Sequence, residues 1–159
     1  MTSLEEAILL RKKGKFVESN KMILELLKQN PDDAQLNYQC AWSFDIMEEE
    51  TKAVSYYEKA IELGLPKQDK KEAYLGLGST YRCIGEYDKA IELFEKAILE
   101  FNDNSLKVFY AMALYNKQEY EKSMEILLKI IARTSKDASI ETYKKAIEFY
   151  SDKLDKKFN

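Results

Sequence analysis

The chain of 159 residues contains no histidine, and this absence removes more classes of function than any other feature of its composition. Without histidine there is no Ser-His or Cys-His nucleophilic pair and no metal site built on imidazole. The two cysteines, Cys40 and Cys83, lack CxxC spacing and are too few for a disulfide framework, so we expect two reduced thiols. A phosphate-binding loop is also missing, because the glycines of LGLGST lie within a predicted helix and no lysine follows them. Acidic pairs are plentiful, but none is singled out for acid–base work. We therefore predict no catalytic residue, no metal and no cofactor.

The chain also has little glycine, little proline and no excess of positive charge. Five Gly and two Pro, beside 45% hydrophobic and 33% charged residues, are typical of an ordered helical protein. The net charge of −3 argues against nucleic acid as the main partner, because a phosphate binder needs a basic face. No apolar run reaches the ~18 residues that would span a bilayer. The start, MTSLEEAILLRKKGK, differs from a signal peptide because its charges follow the apolar stretch. We expect a cytoplasmic protein with no membrane or nucleic-acid partner.

What the chain does contain is a repeat. The segments AVSYYEKAIEL and AIELFEKAILE are similar, amphipathic and 37 residues apart. A small residue recurs in this register at spacings of 34, 37 and 33, at Ser19, Ala53, Ala90 and Ser123. A second small series lies one helix earlier, at Ala7, Ala41, Gly78 and Ala111. Small residues allow two helices to approach closely, so the pattern predicts antiparallel helix pairs, with Gly14 and Gly85 in the turns between paired helices.

This pattern resembles the tetratricopeptide repeat family, whose helix–turn–helix unit has about 34 residues, a W-x2-L-G-x2-Y opening and a later A-x3-F. The third repeat carries the motif best, at Tyr74, Leu77, Gly78, Tyr81, Gly85, Tyr87, Ala90, Phe94 and Ala97. The stretch from Gly64 to Phe101 is similar to a group of small bacterial members without an assigned biochemical activity. The resemblance therefore implies a fold, an all-α right-handed superhelix or solenoid, and says little about function.

We predict one domain over residues 1–159, with four helix pairs at about 1–33, 34–67, 71–104 and 104–136 and a capping helix at about 137–157. The spacing of 37 between the second and third repeats predicts a longer loop at 64–69, with Asp69 and Glu72 as a capping box for the next helix. The last helix has an apolar stripe at 3,4 spacing, formed by Ile140, Tyr143, Ile147, Tyr150 and Leu154. This stripe covers the last repeat or, alternatively, pairs with a second copy of the chain.

In the family that the chain resembles, the first helix of each repeat lines a concave groove. By this analogy the candidate binding residues are Tyr38, Trp42, Asp45, Leu75, Ser79, Arg82, Val108, Met112 and Tyr115. The first repeat offers Leu4, Ile8 and Arg11. The lysines and asparagines with which some members hold a peptide carboxylate are absent at the corresponding places, and Arg82 alone is not such a clamp. We therefore expect an apolar or aromatic ligand.

The predicted groove is more apolar than helix packing requires, which suggests that something covers it. A partner protein or peptide, a second copy of this chain, or the neighbouring repeats themselves would each do so. We predict a non-catalytic scaffold that binds a protein or peptide in the groove, and the sequence does not name that partner. The alternative is a structural, self-associating protein, a homodimer for example, whose groove or C-terminal helix is the interface between copies.

Overall fold

The computed structural model describes residues 2–158, and within this range it contains nine α-helices and no strand. The all-α prediction is therefore confirmed. The helices are α1 (Ser3–Lys12), α2 (Phe16–Gln29), α3 (Ala34–Ile46), α4 (Glu50–Leu63), α5 (Lys67–Cys83), α6 (Tyr87–Phe101), α7 (Asn104–Asn116), α8 (Tyr120–Thr134) and α9 (Ala138–Tyr150). In the described part of the chain, no helix combines the length and the apolar character that crossing a bilayer would require.

The turns inside the helix pairs repeat a single backbone feature. Each contains one residue in the left-handed region, and these four residues are Gly14 (φ 77), Glu48 (φ 58), Gly85 (φ 84) and Gln118 (φ 64). Glycine adopts this conformation without strain, whereas a residue with a Cβ is disfavoured there. The predicted turn glycines are confirmed, and the same turn is made without glycine in the second and fourth pairs.

The prediction of a longer loop before the third repeat was wrong, because its extra residues are helical. Helix α5 begins at Lys67, directly after Pro66, and has 17 residues. The amide of Lys70 donates to the Pro66 carbonyl at 2.8 Å, and the Gln68 side chain donates to Glu72 at 3.0 Å. Proline is well tolerated at a helix start, and lysine and glutamine are good helix formers, so the inserted residues lengthen the helix instead of forming a capping box.

The chain divides into two compact units, one ending at Glu86 and the other beginning at Tyr87. In the first unit each helix from α1 to α5 packs against the next, and α3 also contacts α5. The small residues of the repeat are fully buried at these contacts, as at Ala7, Ala41 and Ala53. In the first pair the equivalent small residue is Ser19, whose hydroxyl donates to the Ala7 carbonyl of the partner helix at 2.7 Å.

The second unit packs α6 on α7, α7 on α8 and α8 on α9. Helix α9 ends at Tyr150, earlier than the predicted 157, because Ser151 and Asp152 favour a turn and the Ser151 hydroxyl donates back to the Glu148 carbonyl at 2.8 Å. The chain then folds back, and the Phe158 ring lies 5.7 Å from the ring of Tyr150. No residue of α9 is buried.

Candidate binding site

Trp42 and Arg11 form a stacked pair in the first unit. The Arg11 guanidinium, at the last turn of α1, lies over the Trp42 ring of α3 with its carbon 4.1 Å from the ring centroid. This distance is typical of a cation–π contact. The indole remains 42% exposed, whereas Arg11 is only 7% exposed. Trp42 is therefore a large aromatic side chain that packs on Arg11 and stays partly exposed.

Tyr38 lies beside this pair but is itself nearly covered. Its ring is 6.2 Å from Trp42 and 6.3 Å from Tyr57, and the residue is 7% exposed. Burial, helped by the nearby carboxylates of Glu72 and Asp69, raises the pKa of the Tyr38 hydroxyl to about 12. Tyr38 therefore packs against Trp42 and offers little surface of its own to a ligand.

Asp45 connects three helices and does not point freely into a groove. One of its carboxylate oxygens accepts from the Tyr57 hydroxyl at 2.6 Å, and the other accepts from the Thr80 hydroxyl at 3.0 Å. Burial raises the pKa of Asp45, while these two hydrogen bonds act to lower it. The Tyr57 ring fits against α5 only because Gly76 has no side chain: a Cβ there would lie 2.5 Å from the Tyr57 oxygen.

The other predicted residues are divided between the two units. On α5 in the first unit, Leu75, Ser79 and Arg82 are all half-buried. On α7 in the second unit, Val108 is half-buried, while Met112 and Tyr115 are exposed. The Tyr115 ring packs edge-on against Tyr120 of α8 at 5.0 Å. The structure thus brings Tyr38 and Trp42 together around Arg11, and it places a separate apolar surface on α7.

One residue that orders this site, Gln39, was missed from the sequence. Its main-chain carbonyl accepts from Arg11 at 3.4 Å, and its side-chain oxygen accepts a second hydrogen bond from the same guanidinium. Gln39 holds Arg11 against Trp42 although the two are 28 residues apart in the chain. Arg11 was expected to face the groove, but its pairing with Gln39 carries no signal in sequence spacing.

A metal centre and an enclosed cavity are the two other kinds of site that the described residues could form. Among residues 2–158, no group of three or more cysteine, aspartate or glutamate side chains is placed to hold a metal ion. A cavity of about 260 Å³ in the second unit lies between the start of α8 and the C-terminal tail, and it is lined mainly by charged side chains such as Glu121 and Lys153. None of the predicted groove residues lines that cavity.

Comparison with known proteins bears out the repeat pattern. The family model described as tetratrico peptide repeat matches residues 34–154. Superkiller protein 3 of Schizosaccharomyces pombe is 31% identical over 105 residues, which are 62% of this chain and 7% of that protein. The chain thus spans a small fraction of the curated relative that it matches.

Solved structures share the fold at low sequence identity. The crystal structure of YrrB, described as a TPR protein with an unusual peptide-binding site, has a TM-score of 0.73 at 20% identity, over 88% of this chain and 71% of that one. MamA from residue 41 to its end, from Desulfovibrio magneticus RS-1, has a TM-score of 0.75 at 15% identity, over 94% and 84% of the two chains. A further MamA crystal structure has a TM-score of 0.74 at 19% identity, over 91% and 87%. These likenesses establish the fold alone.

Proposed function

This chain belongs to the tetratricopeptide repeat family, and we propose that it is a non-catalytic scaffold that binds an extended protein segment or peptide against Trp42. Proteins of this family commonly serve as scaffolds for protein–protein interaction. YrrB, which has the same fold, is described as having a peptide-binding site. The proposal adds to these general properties a place on this chain and a kind of ligand.

The exposed and supported indole of Trp42 is the observation that carries the proposal. Tryptophan and arginine are enriched among the residues that contribute most to binding, and such anchors lie on well-packed surroundings. Trp42 rests on Arg11 and Tyr38, so its orientation is fixed before a ligand arrives and little conformational entropy is lost on binding. A leucine or aromatic side chain of the partner would pack on the open face.

Selection from a random dodecapeptide library tests the proposal. Wild type, Trp42→Ala and Leu99→Ala are immobilised in parallel, because Leu99 is 88% exposed on α6 and serves as a matched loss of exposed apolar surface. Peptides enriched by wild type should bind Trp42→Ala at least about tenfold more weakly and Leu99→Ala unchanged. Trp42 is the only tryptophan, so titration of wild type and Leu99→Ala can be followed by its fluorescence. Enriched peptides that bind all three proteins equally would reject the site.

A second candidate function is self-association through α9, and the exposed face of that helix favours it. Tyr143 is 65% exposed and Tyr150 is 48% exposed, and a spacing of seven residues places both on one face of this amphipathic helix. Aromatic side chains that stay exposed on a helix face are common at interfaces between copies.

Light scattering over a wide range of protein concentration tests this second candidate. A dimer that Tyr143→Glu dissociates and Leu99→Glu leaves intact would support self-association through α9. A monomer at every concentration would remove this candidate and leave the groove proposal standing, because the two surfaces lie on different helices.

A further inference from the structure

Helix α9 has the residue pattern of the first helix of a pair. In the pairs α1–α2, α3–α4 and α7–α8, the second helix packs on the first, and the small residue of the first helix is fully buried, at Ala7, Ala41 and Ala111. Ala146 of α9 continues this series 35 residues after Ala111, and Phe149 follows it as Phe44 follows Ala41. Unlike its three counterparts, Ala146 is exposed. Helix α9 therefore has a first-helix face that no second helix covers.

The open face of α9 is not the face that packs on α8. The Arg133 side chain of α8 donates to the Glu148 carboxylate at 2.9 Å, which marks the packed side. The half-buried residues of α9 are Ile140, Ile147 and Glu148. Thr142, Ala146 and Phe149 lie on the opposite side of the helix at i, i+4 and i+7, and all three are exposed. This open face contains no charged residue.

Residues 151–158 do not provide the missing second helix. Helices α2, α4 and α8 each begin nine residues after the small residue of the first helix, and three positions later each has a small residue of its own, at Ser19, Ala53 and Ser123. Counted from Ala146, these two places fall at residues 155 and 158. No helix is present there, and residue 158 is a phenylalanine. The Phe158 ring lies 6.2 Å from the Phe149 ring, so the tail covers one end of the face without pairing with it as a helix.

The packing of α4 on α3 shows which side chains such a face accepts. Ala53 of α4 is fully buried, and Tyr57, four residues later, is buried as well. The Lys52 ammonium lies over the Phe44 ring, with its nitrogen 5.7 Å from the ring centroid. Helix α8 has the same order of a lysine, a small residue and, four positions after the small one, a large apolar residue. A helix that fits a first-helix face thus carries a lysine, then a serine or alanine, then a large apolar side chain.

We propose that the open face of α9 binds an amphipathic helix of a partner protein, which carries this order of residues and takes the place of a second helix. The small residue of the partner packs on Ala146, where the two helices approach most closely. Its lysine lies over Phe149, a ring that already has the Lys153 nitrogen of the tail 4.6 Å from its centroid. The interface continues the packing that the chain uses within its own helix pairs. It is independent of the peptide site at Trp42.

A synthetic peptide of α4, residues 50–63, is the probe for this face. A side-chain cross-link between positions 51 and 55, which are exposed in α4, holds the peptide helical. Its binding to the full chain is followed by fluorescence anisotropy of an attached fluorescein. Ala146→Phe should bind the peptide at least about tenfold more weakly, because the larger side chain blocks the close approach of the helices. Ala138→Phe is the matched control, since Ala138 is also exposed and begins α9 two turns away, and it should bind as wild type does.

Changes in the peptide test the predicted register. Ala53→Phe in the peptide should weaken binding to wild type at least about tenfold, for the same steric reason. Lys52→Met in the peptide should weaken it about threefold, and this loss should vanish on the protein variant Phe149→Leu, which has no ring for the lysine to cover. The protein variant Phe158→Ala should bind the peptide about threefold more tightly, because no stacked ring has to be displaced.

Three results would overturn the proposal. The first is the absence of saturable binding of the α4 peptide to wild type, and the second is equal binding to wild type and Ala146→Phe. The third is a wild-type dimer that Ala146→Phe dissociates, because a second copy of the chain would then occupy the face. None of these results bears on the proposed function, which uses Trp42 of α3 and is tested with other peptides.

Discussion

Helices α3 and α9 have the same length, thirteen residues, and opposite surroundings. Eight residues of α3 are buried, including the polar side chains of Asn37, Gln39 and Ser43, whereas α9 has no buried residue. The more regular apolar stripe belongs to α9. Hydrophobic patterning therefore does not decide how much of a helix is buried in this chain.

The number of neighbouring helices accounts for the difference. Helix α3 packs against α2, α4 and α5, whereas α9 packs against α8. In a repeat array each element is covered only by its neighbours, so a helix that packs against one other helix keeps more of its surface open than a helix that packs against three. The open face of α9 therefore follows from its single helix contact, while the exposed Trp42 of α3, a helix with three neighbours, does not.

The largest expected difference between the two helices is in how much the free energy of unfolding falls when a phenylalanine is replaced by alanine. Phe44 of α3 is buried and stacks on Tyr56 at 5.6 Å, while Phe149 of α9 is half exposed. Phe44→Ala should lower the free energy of unfolding by about 3 kcal/mol, because it leaves a cavity. Phe149→Ala should lower it by about 0.5 kcal/mol or less, as exposed substitutions do.

Urea unfolding followed by circular dichroism measures both changes on the same protein. Far-UV dichroism is the suitable signal because Trp42 lies close to only one of the two sites. Equal losses at Phe44 and Phe149 would contradict the contrast between the helices and would mean that α9 is covered in solution, for example by another copy.

The fold was predictable because its signals are local and repeated. The small residues at Ala7, Ala41, Ala53 and Ala90 lie one per helix in one register, and each is fully buried. The turn glycines, Gly14 and Gly85, follow from the same register. The errors occurred where a choice depended on weak propensities: the residues after Pro66 extend a helix, and those after Tyr150 leave one.

The candidate site was only partly predictable because its contacts join distant residues. Trp42 was selected by analogy with the family that the chain resembles, in which the first helix of each repeat lines the groove. The burial of Tyr38, the engagement of Asp45 and the stacking of Arg11 depend on which helices lie above and below. No spacing rule reports that Gln39 would bind Arg11 across 28 residues.

Two carboxylates, one in α3 and one at the start of α9, should contribute to stability with opposite pH dependence. Burial raises the pKa of Asp45 in α3, whereas hydrogen bonds from Ser139 and Ile140 lower the pKa of Asp137, the N-cap of α9. Because its pKa is raised, Asp45 binds its proton more tightly in the folded state than in the unfolded state. Its contribution to stability is therefore present in acid and weakens as the pH rises from 3.8, the ordinary pKa of the group, through the folded pKa. The contribution of Asp137 weakens as pH falls below 3.8 through its lower folded pKa.

Asp45→Asn and Asp137→Asn separate these contributions, since asparagine keeps one acceptor oxygen and the N-cap function but does not titrate. The unfolding free energy is measured between acid and neutral pH for wild type and both variants. The stability of wild type relative to Asp45→Asn should rise as the pH falls through the Asp45 titration, and relative to Asp137→Asn it should fall in acid. Parallel pH profiles for the two variants would contradict the opposite environments.

The smallest expected effect concerns how the two helices end. After α3, Glu48 is held at φ 58, in the left-handed region, whereas Ser151 after α9 has φ −54, in the ordinary helical region. Glu48→Gly relieves a conformation that costs a residue with a Cβ about 1–2 kcal/mol, and the added freedom of the unfolded chain offsets about 0.5–1 kcal/mol of this gain. We expect Glu48→Gly to stabilise the protein by about 0.5 kcal/mol, seen as a higher thermal midpoint. Ser151→Gly should lower the midpoint, because it removes the hydrogen bond to Glu148 and relieves no strain. A higher thermal midpoint for both variants would mean that the effect of glycine does not come from relief of the left-handed backbone conformation at residue 48.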